Sequence, residues 1–143
     1  MQISQRTPLL FPIHPRTEER IAAAGLSDLL GSFAIKTLPP LGYLEMLGLM
    51  REARIVLTDS GGIQEETTAL GVPCVTLREY TELPITVEQG TNTVVGTDAG
   101  MILECYEEVM STGGKSGRVP EVWDGRAAQR IVAVINNWAA GRG

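Results

Sequence analysis

Short apolar runs alternate with amphipathic stretches along the chain, and their two periods separate strands from helices. Residues 8–14 (PLLFPIH) read as a strand, with Pro12 awkward in its interior, and 33–38 (FAIKTL) as a second strand stopped by Pro39 and Pro40. Residues 54–58 (RIVLT) have the almost wholly apolar centre of a parallel strand covered on both faces, and 74–77 (CVTL) read as another strand. A shorter strand is expected at 93–95. Between the strands lie helices. Residues 17–25 carry a Thr17 cap and a Gly25 stop, and 42–53 space Leu44, Leu47 and Met50, with Tyr43 and Met46, at helical intervals. Residues 61–70 end at Gly71-Val72-Pro73; 97–110, capped by Thr97-Asp98, put Ile102, Tyr106 and Val109 on one stripe. After a loop at 111–120, residues 126–139 form a last helix with Ala127, Ile131, Val134, Ile135 and Trp138 on its inner face. Strands alternating with helices predict an α/β fold: a parallel sheet, right-handed crossovers and flanking helices.

Length and composition narrow the function classes. The 143 residues suit one domain, 1–143, and 43% hydrophobic with 20% charged residues are ordinary globular values. Sixteen glycines promise tight turns, and 5% aromatics leave the core to aliphatic side chains. The net charge of −5 argues against a nucleic-acid partner, which needs a basic stripe. No apolar run approaches the ~20 residues of a membrane span, and the first ten residues do not read as a secretory signal. Cys74 and Cys105 lack metal or redox spacing, so a reduced, cytoplasmic protein is expected.

Ligands of open α/β sheets gather beyond the carboxyl ends of the strands, which directs attention to residues 55–66, IVLTDSGGIQEE. A buried strand runs into Asp-Ser-Gly-Gly and then a helix. Ser60 is placed to cap that helix, and Gly61 and Gly62 let a ligand approach its first free amides. Those amides and the positive helix end favour a phosphate. Glu66, about one turn further on, brings a carboxylate within reach of a sugar hydroxyl beside it. The same residues also suit a capped helix whose glycines serve tight packing. Asp59 orients the turn. GGKS at 113–116 fails as a phosphate loop because Val109 stands where the first glycine belongs. Glu65-Glu66 and Glu107-Glu108 are adjacent on helices and point apart. The single histidine, His14, has no nucleophile paired with it in the sequence.

LTDSGGIQEE followed by GVPCVTLR resembles the non-hydrolysing UDP-N-acetylglucosamine 2-epimerases. So do HPRT at 14–17, PLGYLEMLGLM at 40–50, EQGTN and VG within 88–96, and VWDGRAAQRI at 122–131. The resemblance implies two Rossmann-like domains around a cleft, the glycosyltransferase-B arrangement, of which this chain is the C-terminal, nucleotide-binding part. It implies interconversion of UDP-N-acetylglucosamine and UDP-N-acetylmannosamine, with no metal and no cofactor. Carried over by position, Ser60 and Gly62, with Gly61 between them, bind the diphosphate, and Glu66 contacts the ribose. Met46 lies near the uracil. His14 either borders a second, regulatory UDP-sugar or makes a structural hydrogen bond at its strand end.

Two positions depart from the family pattern. Met46 stands where an aromatic is usual and loses ring stacking. Leu83, in TELP, replaces the arginine of T-E-R-P and removes a bidentate phosphate donor; Arg78 is nearby in sequence. The family's acid/base carboxylates and its H-R-R-E-N histidine would lie upstream of Met1, so no catalytic residue is assigned here. By the same resemblance the strand ending in that motif is the central one of order 3-2-1-4-5-6. The isolated chain is then expected to pair its first strand with the strand at 54–58, or to fill the gap from another molecule, a homo-oligomer or a complementary N-terminal half. Residues 1–4 are too short a strand to replace it. The other readings are a non-catalytic UDP-sugar binding or interaction module, and the donor half of a glycosyltransferase.

Overall fold

The computed structural model describes residues 2–31 and 34–141. Met1 and Phe33, the latter expected to open the second strand, lie outside them. Along the chain the elements are β1 (Leu9–Pro12), α1 (Pro15–Ala23), α2 (Ser27–Gly31), β2 (Ile35–Leu38), α3 (Tyr43–Glu52) and β3 (Val56–Thr58). They continue as α4 (Gly61–Leu70), β4 (Cys74–Thr76), α5 (Pro84–Glu88), β5 (Asn92–Val94), α6 (Ala99–Thr112) and α7 (Ala127–Ala140).

Every strand pairing is parallel, as the apolar strands and helical crossovers require. β3, β4 and β5 form one sheet in that order, with Val56 opposite Cys74 and Cys74 opposite Asn92. β4 is its fully buried centre. The two faces of this sheet differ in chemistry. Toward α6, Val75, Val95 and Cys105 pack with Ile55, Leu57, Leu77 and Ile102 into an apolar core. Toward α4, the buried side chains are polar: Gln64, Thr67 and Thr68 of the helix against Thr76 and Asn92 of the strands.

β1 and β2 make a second parallel pair, Leu9 opposite Ile35. The amides of Leu9 and Ile13 bond to Ala34 and Leu38, so the odd-numbered residues of β1 face β2. Pro12 therefore sits where its missing N–H points to the open edge and breaks no ladder bond. β1 and β3 are not hydrogen-bonded to each other. The direct pairing expected as one way of closing the sheet does not form, and among the described residues each sheet keeps an unpaired parallel edge. Open edges recruit other chains. We expect sedimentation velocity to show concentration-dependent association, with the outward-facing Leu57 amide gaining hydrogen-exchange protection on assembly. A chain that stays monomeric at every concentration with that amide protected would remove this expectation.

Several boundaries differ from the periodicity reading for local reasons. α1 starts at Pro15 instead of Thr17: Pro15 presets the first helical turn, and His14 is the cap, its Nδ1 accepting from the Arg16 amide at 3.2 Å. α6 runs to Thr112, into the expected loop, where Gly113 at φ +88 stops it; at its start the Asp98 carboxylate, not Thr97, accepts from the Met101 amide. α2 and α5 occupy stretches read as connections, and residues 2–6 form turns on the Ile3 carbonyl in place of a strand. The stripe of α7 is not an inner face: Ile131, Val134, Ile135 and Trp138 are each more than half exposed. Periodicity identifies an apolar face but not its cover, and α7 has no buried residue. The start of α7 is fixed locally by Arg130, whose guanidinium pairs with Asp124 and holds that carboxyl below its usual range.

Candidate functional site

The carboxyl end of β3 leads into the N-terminus of α4 through Asp59 and Ser60. Ser60 is the N-cap, in extended conformation at φ −88 and ψ 132, and its side chain makes no capping bond. Its amide instead donates to Thr58 Oγ1 at 3.0 Å, which closes the turn. The hydroxyl thus stays off the helix it caps. A Cβ placed on Gly62 meets nothing within 4 Å, and one on Gly61 meets only Leu83 Cδ1 at 3.6 Å. Space is therefore open above the first amides of α4, the end that carries the positive half of the helix dipole. Glu66, half-buried, follows one turn later, whereas Glu65 points to solvent, so the adjacent carboxylates diverge.

What borders this end is a loop, residues 77–83, pinned by a buried polar network that sequence reasoning did not find. Gln64 is 1% exposed, and its Oε1 accepts from Thr81 Oγ1 at 2.6 Å and from Asn92 Nδ2 at 3.1 Å. Asn92 is completely buried, also donates to Thr86 Oγ1 and accepts from Thr76 Oγ1 at 2.7 Å. Thr81 Oγ1 in turn accepts the Leu83 amide at 3.0 Å, and the Thr86 hydroxyl donates to the Leu83 carbonyl. One side chain of α4 thereby fixes the loop whose Leu83 borders the Cβ side of Gly61. The available signal was Gln, Thr and Asn at positions that helix and strand periods mark as inward.

The other expected site residues are placed elsewhere. Met46 is half-buried on α3, which packs against α4. His14 is exposed at the end of β1, in the separate strand pair, with its Nδ1 already used to cap α1. Arg78 follows β4 and lays its guanidinium over the Tyr80 ring, 5.7 Å from the centroid. The GGKSG loop is structural. Lys115 Nζ donates to the Val87 carbonyl at the end of α5, and the Arg118 amide to Gln89 at 2.8 Å. Among the described residues no group of three His, Cys, Asp or Glu is placed to hold a metal ion, and no helix is long and apolar enough to cross a membrane.

Both cysteines are buried, Cys74 on the α4 face of β4 and Cys105 in the apolar core. Burial pushes both thiols up from their ordinary value, which keeps them protonated and poor nucleophiles. A colorimetric disulfide reagent is expected to react with neither thiol at neutral pH until denaturant is added; rapid titration of two thiols in the native chain would contradict the buried placement.

The sequence profile of the family described as UDP-N-acetylglucosamine 2-epimerase matches residues 1–136. A UDP-N-acetylglucosamine 2-epimerase of Methanocaldococcus jannaschii is 42% identical over 128 residues, covering 89% of this chain but 34% of that protein. The solved structure of the M. jannaschii enzyme in complex with UDP-GlcNAc and UDP superposes with a TM-score of 0.78 at 40% identity, over 90% of this chain and 35% of that one. The Neisseria meningitidis enzyme bound to UDP-GlcNAc gives 0.81 at 30% identity, over 95% and 38%. The chain thus spans about a third of the length of the relatives it matches.

Proposed function

The chain belongs to the UDP-N-acetylglucosamine 2-epimerase family, and from that premise we propose that it is the C-terminal, nucleotide-sugar-binding part of such an epimerase. UDP or a UDP-N-acetylhexosamine sits with its diphosphate at the α4 N-terminus, on Ser60, Gly61 and Gly62, while Glu66 holds a ribose hydroxyl. Met46 covers the uracil. The observation that carries the reading is the open space over Gly62 beside a Ser60 hydroxyl not engaged in capping. Two of the similar structures hold UDP-GlcNAc, a ligand whose diphosphate has the chemistry that this reading calls for.

The chemistry of C2 inversion needs a base to take the C2 proton and an acid to return it on the other face. The residues assigned here only bind: amides and a hydroxyl for the diphosphate, a carboxylate for the sugar. The complementary N-terminal part supplies the proton-transfer groups, so the 143-residue chain alone is expected to exchange no C2 proton of UDP-N-acetylglucosamine with deuterated solvent. Exchange followed by NMR that survives repurification of the chain would sink this division of labour.

UDP binding is the direct test. Half of a two-sided cleft and one arginine are lacking, so a dissociation constant between high micromolar and millimolar is expected, about 4–6 kcal/mol of binding. The Gly61 and Gly62 amides should shift first in a UDP titration. Gly62→Ala should fold normally, because the added methyl meets open space and alanine favours a helix over glycine by up to about 1 kcal/mol. The same methyl occupies the approach to the amides and should weaken UDP binding. Shifts confined to the 113–117 loop, or saturation at nanomolar UDP, would falsify the site.

A further inference from the structure

Arg78 is the first residue beyond the ladder that joins β3 to β4. The Leu77 amide still donates to the Thr58 carbonyl at 2.8 Å, so Arg78 follows β4 beside the turn that leads from Thr58 into α4. Leu77 packs into the apolar core with Val75, on the α6 face. The Arg78 guanidinium rests on the Tyr80 ring, a contact that orients a planar cation without neutralising it. Arg78 forms no ion pair with a described carboxylate: the ion pairs are Arg6–Glu107, Arg51–Glu52 and Arg130–Asp124. The neighbouring Glu79 places its Oε1 3.0 Å from the Cβ position of Gly96. In the loop from Arg78 to Leu83, Arg78 is the one cation, and Leu83, where the loop meets Gly61, carries no charge.

We propose that Arg78 is the cationic contact for the diphosphate at Ser60–Gly62. A helix N-terminus presents about half a positive charge, less than a diphosphate carries, and a guanidinium adds a full charge with paired donors that match phosphate oxygens. Arg78 reaches the anion from the strand side while the α4 amides hold it from the helix side. Tyr80 keeps the guanidinium ring-bound and raised at the strand end, ready before the ligand arrives. The assignment rests on the reading of the site given under Proposed function.

The test is a UDP titration of the ¹⁵N-labelled 143-residue chain, with uridine as the probe lacking phosphate. Arg78→Gln is expected to weaken UDP binding by about tenfold or more and to flatten its salt dependence, leaving uridine binding unchanged. Arg78→Lys keeps the charge but not the paired donors and falls between. Arg51→Gln, on the exposed ion pair of α3, behaves as the wild type. In the wild-type chain the Arg78 Nε–H resonance moves on adding UDP and not on adding uridine, a reading that needs no variant to fold. Shifts at Gly61 and Gly62 with an unmoved Arg78 Nε–H, or with Arg78→Gln binding UDP as tightly as the wild type, overturn the Arg78 assignment while the diphosphate site stands. A wild-type chain in which UDP moves neither Gly61 nor Gly62 overturns the site and Arg78 together.

Discussion

Replacing Gln64 by leucine is expected to be among the most damaging single changes in the chain, although the two side chains are similar in size. Gln64 Oε1 accepts from both Thr81 and Asn92 inside the α4 face of the sheet. Leucine removes the acceptor of the Thr81 hydroxyl and of one Asn92 N–H, the other Asn92 N–H keeping its bond to Thr86 Oγ1, and an orphaned buried polar group costs about 1–3 kcal/mol. The expected loss is about 2–6 kcal/mol, against a total stability of about 5–15 kcal/mol for a domain. Urea denaturation followed by far-ultraviolet circular dichroism measures it. The loop should loosen as well, since Thr81 also holds the Leu83 amide, so Gln64→Leu should lose UDP binding even under conditions where it remains folded. A loss of stability below about 1 kcal/mol would mean that water replaces the carboxamide and that the network does not fix the loop.

Gly90→Ala is expected to be the next most costly. A Cβ there lies 2.4 Å from Thr68 Oγ1, 2.6 Å from Thr68 Cγ2 and 2.6 Å from the Thr86 carbonyl oxygen. Overpacking of this kind costs about 1–3 kcal/mol and occasionally more. The three contacts differ in how they can be relieved. Thr68 Oγ1 is buried without a hydrogen-bond partner, so Thr68→Ala removes an unsatisfied hydroxyl and should be close to neutral by itself. Combined with Gly90→Ala it should recover only part of the loss, because the Thr86 carbonyl is backbone and stays. Full recovery in the double variant would show that the side chain was the whole obstacle. Thermal melts of the two single variants and the double variant close the cycle.

The parts of the fold legible in the sequence are those that hydrophobic periodicity controls. β4 is buried at every position and β3, partly buried beside it, shares its apolar α6 face, and their neighbours are helices long enough to show a 3.6-residue stripe. The candidate site was legible for a related reason: a serine followed by two glycines at a strand-to-helix turn is a local arrangement, set by residues adjacent in sequence. The polar network was not legible, because Gln64, Thr81 and Asn92 meet across separations of 17 and 28 residues. Taken one at a time, their positions do not say which partner each will meet. His14 as the cap of α1 was missed because Thr17 is the commoner capping residue, whereas Pro15 fixes the helix start. The placement of Leu83 beside Gly61 depends on how α5 is anchored, by Gln64 through Thr81 at one end and by Lys115 at the other, and no short window contains both.

Both tryptophans of the chain, Trp123 and Trp138, lie at the α7 end, and α7 buries none of its residues. Intrinsic fluorescence of this protein therefore reports on α7 and the turn before it, a segment whose opening is free to precede that of the sheet. A melt read at the tryptophan emission maximum and one read by backbone dichroism are expected not to coincide, and the chain will then fail the coincidence criterion for all-or-none unfolding. A stability derived from emission alone would belong to the docking of one helix, and comparisons between variants of the α4 site would have to be made on the dichroism curve.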